Sequence, residues 1–408
     1  MNILFLTREI PYPANSGTKI RTFKILQFLS GKYKIKLFVS SFTKAEIKNK
    51  KDFESVLPNV EVLCGSPVSV FNEKNIVKKI KFCMNLISNL FSIVPLNVKK
   101  WENKKISRRI KSYIHQENVD FIICDSIYQT ANLPVTGENG NSYILLEHNI
   151  ESEIIRRYME NERFFLKKMY IYYELWRMKR YEAKIWNSAK YSFVTSKVDL
   201  DILKTRVQGA KADFLDNGVD TEYFTPGIDE KEDDCILYFG RMNWYPNSEA
   251  VYFFLTEIFP IIKAVKKDIK FFIIGKDPDK SIYKLAENDA CIKILGEVED
   301  LRPFLHKSKV VVVPIRIGSG TRLKILEAMA VGKPVVSTSI GCEGLDVFSG
   351  ENILIADKPE DFAKKVIGLL NDESLRKKIG LSGRKTVKEK YDWEIINKKF
   401  SAFLSNLK

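Results

Sequence analysis

The feature that most constrains the fold of this chain is a recurrence of short apolar runs, separated by longer stretches with helical patterning. Unbroken runs of Ile, Val, Leu and Phe are typical of parallel strands that are buried on both faces and covered by helices. The runs form two series, so the sequence predicts two parallel α/β sheets. The first series covers 3–7, 35–41, 60–63, 121–125, 143–147 and 191–196; the second covers 235–239, 270–274, 291–295, 309–314, 333–337 and 352–355.

A turn-rich passage, residues 216–234, separates the two series and has the Gly, Pro and acidic content of a linker. With 408 residues, the chain is long enough for two cores. We therefore expect two Rossmann-like domains, 1–212 and 213–390, and a C-terminal helix at 391–408 that packs back toward the first domain. Ligands of open α/β sheets bind beyond the carboxyl ends of the strands, so the two domains are expected to face each other across a shared cleft.

The net charge of +15 is concentrated in the first half of the chain. Residues 74–111 alone carry 11 basic side chains and one acidic one, Glu102. Residues 75–94 also present apolar side chains on one helical face, which suits either core packing or an anionic membrane surface. The mixture of aromatic and basic residues at 163–186 has a helical spacing that favours packing over base stacking, and no nucleic-acid partner is expected.

The N-terminal residues lack the pattern of a signal peptide, and no run of about 18 uncharged apolar residues occurs, which predicts a cytoplasmic protein with at most peripheral membrane contact. The six cysteines form no C-x-x-C pair, and the three histidines are widely separated. The sequence therefore predicts neither a disulfide framework nor a metal site. Asp277 and Asp279 have the D-x-D form of a metal motif but fit a plain turn.

The richest candidate site is GSGTRLKILEAMAVGKPVV, residues 318–336, which follows a buried strand. Gly318 and Gly320 allow a ligand to approach the backbone, and the first amides of the following helix can bind phosphate oxygens. Arg322 and Lys324 add positive charge there. Glu327 places a carboxylate that can accept hydrogen bonds from the two hydroxyls of a ribose. Solvated charges around a glycine turn are the alternative interpretation.

This segment resembles the donor-binding signature of family 4 of the retaining glycosyltransferases, which have the GT-B fold. Four further segments resemble that family in the same order along the chain. They are PYPANSGTKIRTFKIL (11–26), DNGVDTEYFTP (216–226), YFGRMNWYPN (238–247) and ILGEVEDLRPFL (294–305). The resemblance implies a nucleoside-diphosphate-sugar donor, no cofactor and no metal.

The resemblance assigns Glu327 to the donor ribose and Arg241 to the diphosphate. Family members often carry a lysine shortly after that arginine, and this chain has none there, so we expect Lys324 with Arg322 to supply the second cation. The family's E-x7-E pair is also incomplete, because Ser319 stands at the earlier position; this affects the donor sugar more than the reaction. The expected donor-binding set also includes Gly17, Thr18, Thr321 and Val298.

In the first domain, EHNIESEIIRR (147–157) follows a predicted strand and resembles the segment that carries the family's histidine beside the reacting sugar. His148 is therefore a candidate catalytic residue; a capping or core histidine is the alternative. Glu147, Glu151 and Glu153 are conceivable acids or bases. Asn149 followed by Glu151 and Glu153 also reads as the start of a helix, which is the interpretation we favour for the two later glutamates.

The expected function is transfer of a sugar to a hydroxyl of a glycan or lipid-linked acceptor in bacterial surface polysaccharide synthesis, with retention inferred from the family. Two alternatives stay open at this stage. A sugar-nucleotide epimerase can share the GT-B fold, but it needs an acid/base set that Ser319 makes poorer. A non-catalytic partner that binds membrane or nucleic acid would have no need of Arg241, Lys324 and Glu327.

Overall fold

The computed structural model describes residues 2–40, 46–64, 92–133, 143–227, 232–318 and 320–407. The chain divides into two compact units, Met1–Leu215 and Asp216–Lys408. The division falls at the first residue of the linker predicted from the sequence.

The first unit is built on a seven-stranded sheet with the order β3-β2-β1-β4-β5-β6-β7, in which all pairs are parallel. Its strands are β1 Asn2–Thr7, β2 Lys34–Val39, β3 Val60–Cys64, β4 Phe121–Asp125, β5 Tyr143–Leu146, β6 Tyr191–Val194 and β7 Ala212–Phe214. Its described helices are α1 Gly17–Ser30, α2 Glu46–Val56, α3 Leu96–Lys99, α4 Lys104–Gln116, α5 Glu151–Asn161, α6 Phe165–Ser188 and α7 Lys197–Arg206, with a short 3-10 helix at Ile127–Asn132.

The sequence specifies these helices through apolar spacing and through caps. Asn103 accepts hydrogen bonds from the first amides of α4, and Ser196 does so for α7. In α4, Ile106 and Ile110 are buried, one helical turn apart, while the basic residues between them are exposed. The buried helix faces cover the apolar strands and close the first core.

The second unit is built on a six-stranded parallel sheet with the order β10-β9-β8-β11-β12-β13. Its strands are β8 Cys235–Phe239, β9 Lys270–Ile274, β10 Ile292–Gly296, β11 Val310–Val313, β12 Val335–Ser337 and β13 Leu354–Ile355. Its helices are α8 Tyr245–Phe253, α9 Phe259–Val265, α10 Lys280–Glu287, α11 Arg302–Lys307, α12 Leu323–Ala330, α13 Pro359–Asn371, α14 Glu373–Lys390 and α15 Trp393–Asn406, with a π-helical turn at Phe254–Ile258 between α8 and α9.

Two glycines bring the loops after β8 and β9 into contact. Gly240 and Gly275 have φ values of 152° and 151°. A Cβ atom on Gly275 would lie 1.8 Å from the carbonyl oxygen of Gly240. Only glycine fits this approach, which sets the path of the backbone just beyond the carboxyl ends of the two strands.

The strand predictions agree with the structure at every predicted run, with ends that differ by a few residues. The short edge strand β7 was not predicted. Asp279 of the D-x-D sequence accepts a hydrogen bond from the Ser281 amide at 2.8 Å and caps α10. The helix after β5 begins at Glu151 with Ile150 as its N-cap, and Glu151 and Glu153 lie in its first turn, so the helix-start interpretation of these two glutamates is confirmed.

In the described residues, no helix combines the length and the apolar character that crossing a bilayer requires. The predicted amphipathic stretch 75–94 lies mostly outside the described residues. The packing expected for 163–186 holds for one face of α6, on which Met178, Ile185 and Trp186 join the first core. Several aromatic side chains at the start of α6 are exposed instead.

Candidate functional site

In the first unit, a cavity forms where β1, β4 and β5 end side by side. Because parallel strands present their carboxyl ends at one edge of the sheet, Thr7, Asp125 and His148 come together there. The start of α1 supplies Thr18 and further lining residues. The complete lining is Thr7, Arg8, Glu9, Pro11, Thr18, Lys19, Thr22, Asp125, Ser126, Tyr128, His148, Asn149 and Glu151.

Asp125 is the centre of a buried hydrogen-bond network in this cavity. Its Oδ1 lies 2.8 Å from His148 Nε2. Its Oδ2 accepts hydrogen bonds from the hydroxyls of Thr7 at 3.1 Å and Thr22 at 2.6 Å. Burial by itself raises the pKa of Asp125, but His148 and the two threonines outweigh it and hold the pKa below its ordinary value. Asp125 therefore stays ionised and fixes the orientation of the imidazole.

Glu151 faces the same cavity from the first turn of α5. Burial raises its pKa above the ordinary value, against the opposing effects of a hydrogen bond with Tyr128 and of the charges of Arg8 and His148. Of the three candidate glutamates, Glu151 is thus the one that lines the cavity.

Glu147 and Glu153 serve the fold of the first unit. Glu147 is buried and accepts hydrogen bonds from the Ile127 amide at 3.2 Å and from Trp186 Nε1 at 3.1 Å. Glu153 forms ion pairs with Arg156 and Arg206. Glu147 thus links the segment after β5 to α6, Glu153 links α5 to Arg206 of α7, and neither glutamate lines the cavity.

Positive charge in the first-unit cavity comes from Arg8 and Lys19, both of which pair with Glu9. Gly17 is the first residue of α1 and is not part of the cavity lining, whereas Thr18 is.

In the second unit, the loop after β11 feeds α12 and gathers the other candidate residues. Gly318 has a φ of 137°, and a Cβ atom there would lie 2.5 Å from Arg322 Nη2. Arg322 is buried and donates from Nη1 to the Gly320 carbonyl at 2.5 Å. Thr321 Oγ1 accepts a hydrogen bond from Asn217 Nδ2 at 2.6 Å. The candidate loop is therefore shaped by contacts between its own residues and the linker.

Lys324 is held beneath the loop that follows β8. Its Nζ donates to Tyr238 Oη and to Asn247 Oδ1, both at 2.9 Å, and lies 4.2 Å from the centre of the Tyr238 ring. A Cβ atom on Gly240 would come within 2.7 Å of Nζ. Burial, with the charge of Arg322 adding to it, lowers the pKa of Lys324 to about 7, although Glu327 opposes the shift.

Glu327 is partly buried and lies about one helical turn after Lys324 on α12. Burial raises its pKa to about 7, and the charge of Lys324 opposes the shift only in part. Within the described part of the chain, no side chain or amide donates a hydrogen bond to its carboxylate. A ligand with two hydroxyl donors would therefore give this carboxylate the hydrogen-bond partners that the described residues do not supply.

Three further candidate residues of the second half of the chain, Arg241, Val298 and Ser319, precede the cluster of Arg322, Lys324 and Glu327 in the chain. Arg241 follows Gly240 and is exposed, and its guanidinium forms no hydrogen bond or ion pair with the described residues. Val298 is partly buried against the second core. Ser319 lies outside the described residues. Among the described residues, no three His, Cys, Asp or Glu side chains are grouped so that they could hold a metal ion.

The structure thus places Arg322, Lys324 and Glu327 together in the second unit, and Thr18 and His148 together in the first. The sequence argument missed Asp125 and Tyr128. Asp125 ends a strand in the run FIICD, and a carboxylate at that position is the signal that could have identified it.

Comparison with known proteins finds similarities for the second unit and for the whole chain. Residues 233–372 match the family model described as Glycosyl transferases group 1. The chain is 24% identical over 401 residues to an uncharacterized 44.6 kDa protein of the cps region of Klebsiella pneumoniae, covering 96% of each chain. It is 31% identical over 162 residues to the capsular polysaccharide biosynthesis glycosyltransferase CapM of Staphylococcus aureus, covering 37% of this chain and 42% of CapM.

The fold is also seen in a solved structure. The sucrose-phosphate synthase of Thermosynechococcus elongatus superposes with a TM-score of 0.73 at 16% identity, covering 100% of this chain and 99% of that one. The two parallel-sheet, Rossmann-like units are those of the GT-B fold.

Proposed function

We propose that this chain transfers a sugar from a nucleoside-diphosphate donor to a hydroxyl of a glycan or lipid-linked acceptor in the synthesis of a bacterial surface polysaccharide. The observation that carries the proposal is the uncompensated carboxylate of Glu327 inside the segment that matches Glycosyl transferases group 1. The similarity to a protein of a cps region and to a capsular glycosyltransferase supports the polysaccharide context. We expect retention of configuration, as in the family that the sequence resembles.

In this proposal the second unit holds the donor. Glu327 accepts hydrogen bonds from the ribose hydroxyls, while the loop at Gly318 and Gly320 and the first amides of α12 approach the diphosphate. Thr321 and Val298 complete the walls of the nucleotide site. Ser319 contacts the transferred sugar in place of the glutamate of the family pattern.

The cations of the second unit neutralise the leaving diphosphate. Arg241 is exposed and available to move toward a phosphate. Lys324 has a pKa of about 7, so a nearby dianion would favour its charged form and raise that pKa. Arg322 adds to the same field from the start of α12. Protein cations in these positions make a divalent metal unnecessary, and we expect no other cofactor.

The first unit contributes the groups beside the reacting sugar. Asp125 holds the imidazole of His148 at the cavity, where it can donate to or accept from a sugar hydroxyl. Thr18, next to Gly17 at the start of α1, offers a hydroxyl to the donor. Glu151 and Tyr128 offer further polar contacts in the same cavity.

A lipid-linked acceptor agrees with the basic segment 74–111. In its described part, all seven basic side chains are exposed; they are Lys99, Lys100, Lys104, Lys105, Arg108, Arg109 and Lys111. Each basic residue near an anionic bilayer is worth about 1 kcal/mol, so several suffice for reversible peripheral contact at the inner face of the membrane. Lys78, Lys79 and Lys81 lie outside the described residues and belong to the same proposal.

A panel of nucleoside-diphosphate sugars tests the proposed function directly. The donor should raise the melting temperature and be hydrolysed slowly without acceptor, since a ligand at about 100 times its Kd adds about 2.7 kcal/mol to the free energy of unfolding. The variant Glu327→Ala should lose this stabilisation, and Glu343→Ala, a change elsewhere in the second unit, should keep it. Absence of stabilisation by every nucleotide sugar and free nucleoside diphosphate would contradict the proposal.

A further inference from the structure

The start of α6 has an unusual concentration of exposed apolar side chains. Six of the eighteen large apolar residues that are exposed in the described part of the chain lie within residues 164–176. We call these six residues the aromatic surface. They are Phe164 (63% exposed), Phe165 (70%), Leu166 (66%), Met169 (56%), Tyr172 (63%) and Trp176 (45%).

Four of the six residues of the aromatic surface form a stripe on one side of the helix. Phe165, Met169, Tyr172 and Trp176 follow one another at intervals of four, three and four residues, which places them along a single face. The core packing of α6 uses a different face, on which the buried apolar residues are Ile171, Leu175, Met178, Ile185 and Trp186. Core packing therefore does not account for the exposed stripe.

Positive charge borders the aromatic surface. The exposed basic residues of this stretch are Arg163, Lys167, Lys168, Lys179 and Arg180. Arg180 lies with its Cζ atom 4.9 Å from the centre of the Trp176 ring. The long stems of such residues can lie along apolar groups while their charged ends reach a polar layer.

The two acidic residues of 162–180 are engaged in the fold. Glu162 accepts a hydrogen bond from the Phe164 amide at 3.0 Å and pairs with Lys167. Glu174 accepts one from the Leu96 amide at 3.2 Å and pairs with the buried Arg177. The charge that the surface presents to a partner is therefore positive.

We propose that the aromatic surface docks on an anionic membrane, with α6 lying in the plane of the interface and its exposed rings entering the boundary between headgroups and acyl chains. An apolar stripe bordered by Lys and Arg is the pattern that partitions into such an interface. A second copy of the chain is a poorer occupant, because a symmetric contact would bring the same basic side chains together. This inference goes beyond the proposed glycosyl transfer and stands independently of it.

The dependence on salt separates this surface from the basic segment 74–111. Binding through charges alone weakens steeply once ionic strength shortens the screening length to a few ångström. Burial of aromatic and aliphatic groups is not weakened by salt. The aromatic surface should therefore account for a fraction of membrane binding that persists at high salt.

The test is co-sedimentation of the full chain with vesicles of phosphatidylcholine containing about 30% phosphatidylglycerol, at low and high salt. The triple change Phe165→Gln, Leu166→Gln and Tyr172→Gln should reduce partitioning at high salt by about tenfold or more, since Gln keeps the helix propensity while removing apolar area. The change Lys167→Gln with Lys168→Gln should reduce binding mainly at low salt. Leu381→Gln is the matched control, because Leu381 is 68% exposed on α14 of the second unit, and its change should leave partitioning intact.

Circular dichroism and the melting temperature establish that the triple variant is folded. Equal high-salt binding of the triple variant and the unmodified chain would overturn the proposal, as would a complete lack of vesicle binding by the unmodified chain at low salt. A dimer in sedimentation velocity that the triple change dissociates would also overturn it, since a second copy would then cover the surface. Quenching of Trp fluorescence by brominated lipid that is reduced in Trp176→Phe would support it.

Discussion

The two candidate sites differ in how far the protein itself satisfies their charged groups. In the first unit, Asp125 has three hydrogen-bond partners and a pKa held below its ordinary value. In the second, Lys324 and Glu327 both have pKa values moved to about 7 by burial, each toward its neutral form. The first site is preorganised without ligand, whereas in the second burial disfavours the charged forms of Lys324 and Glu327, which a ligand with complementary groups would stabilise.

The largest effect is expected from breaking the preorganised network. Asp125→Ala leaves His148, Thr7 and Thr22 without their shared acceptor in a buried site, and should lower the free energy of unfolding by about 3 kcal/mol. Urea denaturation monitored by circular dichroism measures the change. Asp213→Ala, on an exposed position of β7, is the control. A loss below about 1 kcal/mol would show that the network is not a unit of stability.

In contrast to Asp125→Ala, Glu327→Ala should weaken nucleotide binding without lowering the free energy of unfolding. The variant should bind both the donor and the free nucleoside diphosphate more weakly by roughly 1.5–3 kcal/mol, because a charged hydrogen bond to the ribose is lost. Its free energy of unfolding should not fall, since the removed carboxylate is partly buried and accepts no hydrogen bond from the described residues. Calorimetric titration alongside denaturation measures both quantities. Unchanged nucleotide affinity would remove the ribose assignment.

The sequence predicted the strands of both units well because a parallel strand buried on both faces appears as an unbroken apolar run. It missed β7, which has three residues and one buried position, Ala212. The cluster of Arg322, Lys324 and Glu327 was predictable because it lies within one short segment. Asp125 was not, because its partners lie 118, 103 and 23 residues away in the chain. The confinement of Lys324 by Tyr238 and Asn247 depends equally on distant contacts.

Nucleotide affinity should depend on pH through the two titrating groups of the second-unit site. The ionised form of Glu327 is lost as the pH falls through about 7, which weakens binding to the ribose. The charged form of Lys324 is lost as the pH rises through about 7, which weakens binding to the diphosphate. Affinity should therefore be greatest near pH 7 and fall a few-fold on each side. Glu327→Gln should abolish the acid limb alone, and a flat profile across both limbs would contradict these assignments.

The smallest effect is expected from removing divalent metal. Turnover should be the same in EDTA and in buffer with Mg²⁺ or Mn²⁺, because Arg241 and Lys324 serve the leaving diphosphate in this proposal. Radiochemical or coupled detection of donor hydrolysis is suitable once the donor is known. Loss of turnover in EDTA that Mg²⁺ or Mn²⁺ restores would reassign the neutralising role to a metal.

The linker has a consequence for the order in which the chain can fold during synthesis. The Val219 amide donates to the Tyr391 carbonyl at 2.8 Å, the Trp393 amide donates to the Val219 carbonyl at 3.2 Å, and Thr221 Oγ1 donates to Asp392 at 2.6 Å. A Cβ atom on Gly218 would lie 2.7 Å from the Trp393 ring. Gly218, Val219 and Thr221 of the linker thus acquire these partners only after the ribosome has added residues 391–393, when the strands and helices of residues 1–215 have long been available to fold as a unit.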